Sequence, residues 1–297
     1  MKTALIATLY NEAGNITRWW DCIINQSVSP DEILIVDGGS TDGTWETLQQ
    51  LKIQSSLPVL LKQQRCNIAE GRNLAIQMTD AEIIAATDAG SFPEKEWFGE
   101  ITHPLLEDKS IDVTGGLNIS EANTDFLRFL SKFEQVKESG MSGDELHPSS
   151  RNTAFRRQAW ADVGGYPEWL TLAGEDALFT RELHKIGKRF YYNPKAVVHW
   201  EVRGSEEAYF KLRHRNGYGA AEARFSESYF IKCGLITFFP FLLLLSEHRF
   251  RHLPFRFRKN ASSTFGWLAG RLKGHRAPAG WKLIDGVYMS PEAQEHL

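Results

Sequence analysis

The feature that most constrains this chain is an alternation running through residues 3–90. Short apolar runs of strand length, "TALIATL" at 3–9, "ILIV" at 33–36, "PVLL" at 58–61 and "IIAA" at 83–86, are separated by stretches with helical character. In "NEAGNITRWWDCIINQ" the residues Ile16, Trp19, Trp20 and Ile23 fall on one helical face. "TWETLQQLKIQ" and "IAEGRNLAIQMT" read as a second and a third helix. Strands and helices in strict alternation build βαβ units and a parallel sheet. The polar clusters at residues 10–12, 37–42 and 87–91 all fall at the ends of strands. In open α/β sheets ligands bind in the crevice beyond those carboxyl ends.

Several function classes drop out at once. No GxGxxG follows the first strand, which disfavours a dinucleotide-dependent oxidoreductase, and no GxxxxGK[ST] is present for a P-loop nucleotide hydrolase. A hydrophobic fraction of 42% and a charged fraction of 24% allow a sizeable core without disulfides. The three cysteines, Cys22, Cys66 and Cys233, form no CxxC pair, which argues for a reducing compartment and against a zinc site. "MKTALIATLYNEAG" lacks the long apolar region of a signal peptide and reads as the first strand.

The strand ends carry chemistry. In "AATDAGSFP" the apolar run stops at Thr87-Asp88, and two small residues and a Ser-Phe-Pro turn follow. One acid followed by nearly bare backbone suits a ligand close to the main chain. "LYNEAG" offers an aromatic face, an amide and a carboxylate, which suit a base and ribose hydroxyls; a helix N-terminus is the plainer reading. In "VDGGSTDGT", Asp37 is followed by glycines that admit close approach, and Asp42 reads as a cap for the helix near Thr44. Arg72 in "EGRNLAI" sits near a helix start, where its fork matches a diphosphate; a surface ion pair is the alternative. Glu175-Asp176 opens a helix whose Ala177, Leu178, Leu183 and Ile186 face the core, an arrangement the helix dipole also favours.

Together "ATLYNEAGNI", "IVDGGSTDGT", "GRNLAI", "TDAGSFP" and "GEDALFTRELHKIG" resemble, in order and spacing, the family 2 inverting glycosyltransferases over residues 1–225. The resemblance implies an α/β nucleotide-sugar-binding domain of the GT-A type with a mainly parallel central sheet. It implies nucleotide-sugar contacts for Thr8, Tyr10, Glu12, Asp37, Arg72 and Asp88, and the catalytic base for Asp176. Asn152, Trp169 and Glu175 are expected on the acceptor side, with Trp160 nearby. The family pattern at the fourth strand is Asp-x-Asp, whereas this chain has Asp88-Ala89-Gly90. A divalent cation, Mn²⁺ or Mg²⁺, needs only one or two carboxylates when phosphates and water complete its shell. Asp88 is therefore expected at the metal, with His199 in "VVHW" as a second candidate that would favour Mn²⁺; a packed strand-end histidine is the alternative.

Further on, "LRFLSKFEQVKESGMSGDELHPSS" reads as a helix and a loop that is a candidate mobile segment. The apolar run "LITFFPFLLLL" at 235–245 is shorter than the roughly 20 residues a membrane span requires. Nine Lys and Arg against the single acid Glu247 lie between Ser246 and Lys282, interleaved with Phe250, Phe255, Phe257, Phe265 and Trp267. That composition suits a membrane interface, so residues 226–297 are expected to form an amphipathic, basic helical tail on an anionic membrane surface. A helix pair packed on the core with solvated charges is the alternative. The combined expectation is an inverting transferase on the cytoplasmic face of a membrane. It would move a sugar from a nucleoside-diphosphate donor, UDP favoured, to a lipid-linked or polysaccharide acceptor. No nucleic-acid partner is expected. A non-catalytic sugar-nucleotide or glycan-binding protein on the same fold is the rival, and Gly90 is its support.

Overall fold

The computed structural model describes residues 1–121, 125–133, 146–201, 205–225, 227–239 and 253–297. The expected alternation is present. β1 (Thr3–Leu9), α1 (Ile16–Ile24), β2 (Glu32–Asp37), α2 (Thr44–Gln54), β3 (Val59–Gln63), α3 (Ile68–Gln77) and β4 (Ile83–Ala86) follow one another. They are followed by β5 (Ser91–Pro93), α4 (Trp97–Glu107), β6 (Val113–Glu121), α5 (Asp125–Phe133), β7 (Thr153–Arg156), α6 (Arg157–Asp162), α7 (Glu175–Lys185) and β8 (Phe190–Glu201). The loop expected after α5 lies, from 134 to 145, outside the described residues.

The eight strands form one sheet in the order β3-β2-β1-β4-β7-β6-β8-β5. The half from β3 to β4 is parallel. Beyond it β7 runs antiparallel to both β4 and β6, and β8 runs parallel to β6. The sheet is therefore mixed, with four of the seven pairings between these strands parallel, among them all those of the first half. β1, β2 and β4 are buried on both faces, which explains their unbroken apolar runs, while the edge strand β3 exposes Leu60, Lys62 and Gln63. Leu5, Ile33, Ile35, Ile83 and Ala85 pack on one side with Trp19 and Trp20 of α1. Ala4, Ile6, Leu34, Val36, Ile84 and Ala86 pack on the other with Ala69 and Ile76 of α3.

Ser91-Phe92-Pro93, read from sequence as a turn, is an edge strand. It pairs antiparallel with β8, Phe92 opposite His199. Proline is tolerated on an edge, and burying Phe92 in the core favours the pairing.

The C-terminal third holds α8 (Glu206–Glu222), α9 (Glu227–Phe238), α10 (Leu253–Lys273), the hairpin β9 (Lys282–Ile284) and β10 (Val287–Met289), and α11 (Pro291–Gln294). α8 and α10 meet through glycines. A Cβ at Gly266 would lie 2.0 Å from the His214 carbonyl oxygen, and one at Gly270 2.5 Å from that of Tyr218. The chain after α10 is not a peripheral tail. Met289 and Ala293 are fully buried in the core cluster that contains Phe179 and Leu183 of α7. The Ser290 amide donates to Glu182 at 2.7 Å, and Lys185 pairs with Asp285 at 2.6 Å. The expected tail at 226–297 is thus two different things, a helical pair and a hairpin returned to the core. Residues 240–252, which hold part of the apolar run and the start of the basic stretch, lie outside the described residues. Among the described residues no helix is long and apolar enough to cross a membrane.

Candidate active site

The carboxyl ends of β1, β2 and β4 open onto one crevice. On its first side the β1–α1 and β2–α2 loops are laced together. The Asn11 amide donates to Ser40 Oγ at 2.8 Å, and the Thr41 amide donates to Asn11 Oδ1 at 2.9 Å. The amides of Glu12 and Ala13 donate to Thr44 Oγ1 at 2.8 Å and Asp42 Oδ2 at 3.0 Å. Asp42 Oδ1 also accepts from the Thr44 amide at 3.1 Å, but the N-cap of α2 is Gly43, so Asp42 stands one residue before the position expected of it. Asn11 takes a left-handed φ of 55°, a conformation that asparagine tolerates better than most residues.

Within this side the sequence candidates differ. Tyr10 is 60% exposed and offers its ring to the crevice beside Gly38. Asp37 is fully buried and its carboxylate already accepts from the Ser40 amide and hydroxyl and from Gln63 Nε2 at 2.9 Å. It shapes the loop rather than offering an open face to a nucleoside. Thr8 Oγ1 and Thr87 Oγ1 are buried without a hydrogen-bond partner among the described residues. Glu12 is half-buried; its Oε2 lies 4.0 Å from where a Cβ on Gly90 would stand.

The second side is ionic. α3 begins with a capping box, Asn67 accepting from the Glu70 amide and Glu70 accepting from that of Asn67. Gly71 lets the helix come onto β1, since a Cβ there would meet Thr8 Cγ2 at 2.4 Å. The next residue, Arg72, is 3% exposed. Its two terminal nitrogens donate to Glu175 Oε1 at 2.7 Å and to Asp88 Oδ1 at 2.8 Å. Its guanidinium carbon also lies 5.4 Å from the Tyr166 ring centre. Arg72 is therefore an internal bridge, not the diphosphate clamp expected from sequence. Burial opposes its charge, but Asp88 and Glu175 hold its pKa above the ordinary value. Burial pushes the Glu175 carboxyl up, the Asp176 charge adds to this, and the contact with Arg72 opposes both. The net direction is up, and the 2.7 Å contact with the buried guanidinium is what favours the ionised carboxylate.

Asn73 extends the brace. It donates to the Tyr166 carbonyl and to Glu168, and it accepts from the Tyr166 amide and from Trp160 Nε1 at 2.9 Å. Trp160 thus serves this framework. Gly174, at φ 96°, turns the chain into α7, and Asp176 stands half-buried in its first turn, Oδ1 accepting from the Ala177 amide at 2.8 Å. The preceding loop rests on α8. Arg215 donates to the Leu172 carbonyl at 2.8 Å, and a Cβ on Gly219 would stand 1.9 Å from the Ala173 carbonyl oxygen.

Three expected residues lie elsewhere. Asn152 is fully buried and braces the sheet, accepting from Trp97 Nε1 at 2.8 Å and donating to the carbonyls of Leu117 and Ala196. It presents no polar atom to an acceptor. Trp169 packs edge-on against Trp281 and Tyr288 beside the returned hairpin, with ring centres at 5.7 and 5.6 Å. His199 joins Glu94 at 2.8 Å instead of Asp88.

For a cation the fit is partial. Asp88 Oδ2 has no protein partner among the described residues, and the side chain is 24% exposed. Among the described residues no three His, Cys, Asp or Glu groups converge to hold an ion. This donor set fits a cation that brings phosphate oxygens and water with it. Gly90, at φ 86°, occupies a conformation an aspartate would adopt only with strain.

The Arg72 bridge was missed from sequence, yet a signal for it exists. Ala69, Arg72, Asn73 and Ile76 share the buried face of α3, so two polar residues interrupt an apolar stripe. Polar groups on such a stripe require buried partners.

This architecture is shared with solved glycosyltransferases. S. aureus TarS 1-349 in complex with UDP superposes with a TM-score of 0.55 at 15% identity, over 97% of this chain and 96% of that one. The mannosyltransferase PcManGT from Pyrobaculum calidifontis, in complex with GDP-Man and Mn²⁺, gives 0.57 at 21% identity, over 92% of this chain and 76% of that one. The fold is therefore that of the GT-A glycosyltransferases. The profile of Glycosyl transferase family 2 matches residues 4–164, more than half of the chain, and that of Glycosyl transferase family group 2 matches residues 115–272. The chain belongs to glycosyl transferase family 2. Glycosyltransferase AglE of Haloferax volcanii is 28% identical over 190 residues, 62% of each chain. The O-antigen chain rhamnosyltransferase RfbN of Salmonella typhimurium is 26% identical over 214 residues, 67% of this chain and 66% of that one. The matched region thus spans just under two thirds of each relative's own length.

Proposed function

We propose that this chain is an inverting glycosyltransferase that moves a sugar from a nucleoside-diphosphate sugar to an acceptor hydroxyl, with Asp176 as the base. The observation that carries this reading is the Arg72 bridge. It ties Asp88, at the end of β4, to Glu175, the neighbour of Asp176 on α7. A donor diphosphate beside Asp88 and an acceptor beside Asp176 then face each other across the crevice. The acceptor oxygen forms its bond to the anomeric carbon as its proton passes to Asp176. The bond from that carbon to the diphosphate breaks, and the nucleoside diphosphate leaves with the electron pair. One displacement inverts the configuration. A divalent cation, Mn²⁺ or Mg²⁺, would be held on this chain by Asp88 and, when bound, stabilises charge on the leaving diphosphate.

UDP and GDP-Man in the structural neighbours support a nucleotide-sugar donor, and UDP is the favoured nucleotide. The acceptor is lipid-linked or a growing glycan at an anionic membrane surface, on its cytoplasmic face. Support comes from α9, where Ile231, Leu235 and Phe238 are 54%, 50% and 61% exposed beside the exposed Lys232.

The test is Asp176→Asn. Transfer should fall by at least about 100-fold, the scale of a lost general base, while Mn²⁺-dependent binding of UDP or GDP stays unchanged. Surviving transfer would remove Asp176 as base. If neither nucleotide binds the unmodified protein, a glycan-binding role on the same fold becomes the better reading.

A further inference from the structure

The ionic bridge points to a division of labour that the two sides of the crevice do not reveal separately. Glu175 follows the loop resting on α8 and adjoins Asp176, so its position suggests an acceptor contact. Its carboxylate instead lies 7% exposed against Arg72. Arg72 is buried and shares its charge between Glu175 and Asp88. A buried guanidinium with a single carboxylate partner would use that partner's whole charge as its counter-ion. With two partners, the group Arg72, Asp88 and Glu175 keeps one net negative charge. Asp88 is the more exposed carboxylate of the two, its side chain 24% exposed against 7% for Glu175. The surplus charge is therefore available at Asp88.

We infer that Glu175 is a positioning residue of the donor side: by neutralising Arg72 it leaves the charge of Asp88 free for the cation that accompanies a nucleoside diphosphate. Arg72 in turn fixes Asp88 Oδ1, so that Oδ2 is the oxygen offered. Asp176, adjacent in sequence, makes no ion pair with Arg72 among the described residues and acts on the group only through space, as the weakest of the charges on Arg72. The inference rests on the glycosyltransferase reading for the nature of the ligand, and it makes an acceptor-side residue control a donor-side affinity.

The experiment measures Mn²⁺ affinity by electron paramagnetic resonance of the full chain in the presence of saturating UDP, with GDP as a second probe. Glu175→Gln keeps the shape of the side chain and removes its charge. It should weaken Mn²⁺ binding by about tenfold, on the scale of roughly 1.4 kcal/mol. Asp176→Asn should leave it within about twofold of the unmodified protein, a difference near or below 0.4 kcal/mol. The double variant Arg72→Met/Glu175→Gln restores one net negative charge and should recover most of the loss. A purely structural role for Glu175 gives no such rescue. The inference is overturned if Glu175→Gln binds Mn²⁺ like the unmodified protein. It is equally overturned if Asp176→Asn is as weak, or if the double variant is no better than Glu175→Gln. Circular dichroism melts of each variant separate a lost fold from a lost site. Failure of the unmodified protein to bind Mn²⁺ with either nucleotide overturns the cation-dependent reading itself, and this inference with it.

Discussion

The two sides of the crevice are built on different physical principles. The β1 and β2 loops are joined mainly by main-chain amides donating to short polar side chains, from Asn11 to Thr44. Their partners lie about thirty residues apart, one βαβ unit. The opposite side is joined by a buried arginine and two carboxylates, and Arg72 and Glu175 are 103 residues apart. Amide lacing of short range gives a pre-formed loop pair with many small contributions. Ionic bracing of long range concentrates the design in a few residues, each costly to disturb.

Substitutions can break this contrast. The largest effect should come from Gly219→Val, which drives a side chain into the Ala173 carbonyl oxygen. An overpacking cost of about 3 kcal/mol is expected. Chemical denaturation should read it as lost stability, and transfer should fall with it as the loop before Asp176 shifts. A variant with unchanged stability and transfer would show that α8 does not set this loop.

An intermediate effect should come from Glu182, on the buried face of α7. It is fully buried, and burial pushes its carboxyl up to about 8 while the bond from Ser290 opposes the rise. The unfolded chain titrates at the ordinary value of 4.5, so the folded protein holds a proton that the unfolded one releases. This stabilisation is complete below pH 4.5 and is lost as pH rises through about 8. Glu182→Gln should therefore gain on the unmodified protein between pH 5 and pH 9, by on the order of a few kcal/mol. Melting curves at the two pH values check this. Parallel pH dependence in both proteins would contradict the buried, protonated state.

The smallest effect belongs to the laced side. Asn11→Ala removes the acceptor for the Thr41 amide and leaves alanine at a φ of 55°. A loss of about 1 kcal/mol is expected. Asn11→Gly should lose less, because it relieves the backbone while still lacking the side chain. Equal losses, measured by denaturation, would assign the whole effect to the hydrogen bond.

The same contrast decided what was legible in the sequence. β1, β2 and β4 were legible because strands buried on both faces are continuous apolar runs, and α1 because its tryptophans and isoleucines recur on one stripe. β5 was not, because its proline outweighed the burial of Phe92. Asn152 is expected on the acceptor side, and only the three-dimensional meeting of Trp97, Leu117 and Ala196 makes it a buried joint. The hairpin after α10 follows a basic stretch, so composition hid Met289 and Ala293, which belong to the core. Arg72 and Glu175 were both singled out, but no local periodicity encodes a partner 103 residues away.

The glycine contacts of α8 carry one more consequence. Gly219 lies against the loop before Asp176, while α10 meets α8 from Gly217 to Tyr218 through bare backbone. Side chains yield by changing rotamer, whereas peptide planes in contact do not. Side chains such as Tyr209 and Phe255 cushion the two helices nearer the start of α8, but at the glycines a sideways displacement of α10 meets main chain directly. The width of the crevice is thus gauged by main chain rather than by side chains, and a chemist seeking to admit a bulkier acceptor would have to move a helix, not trim a residue.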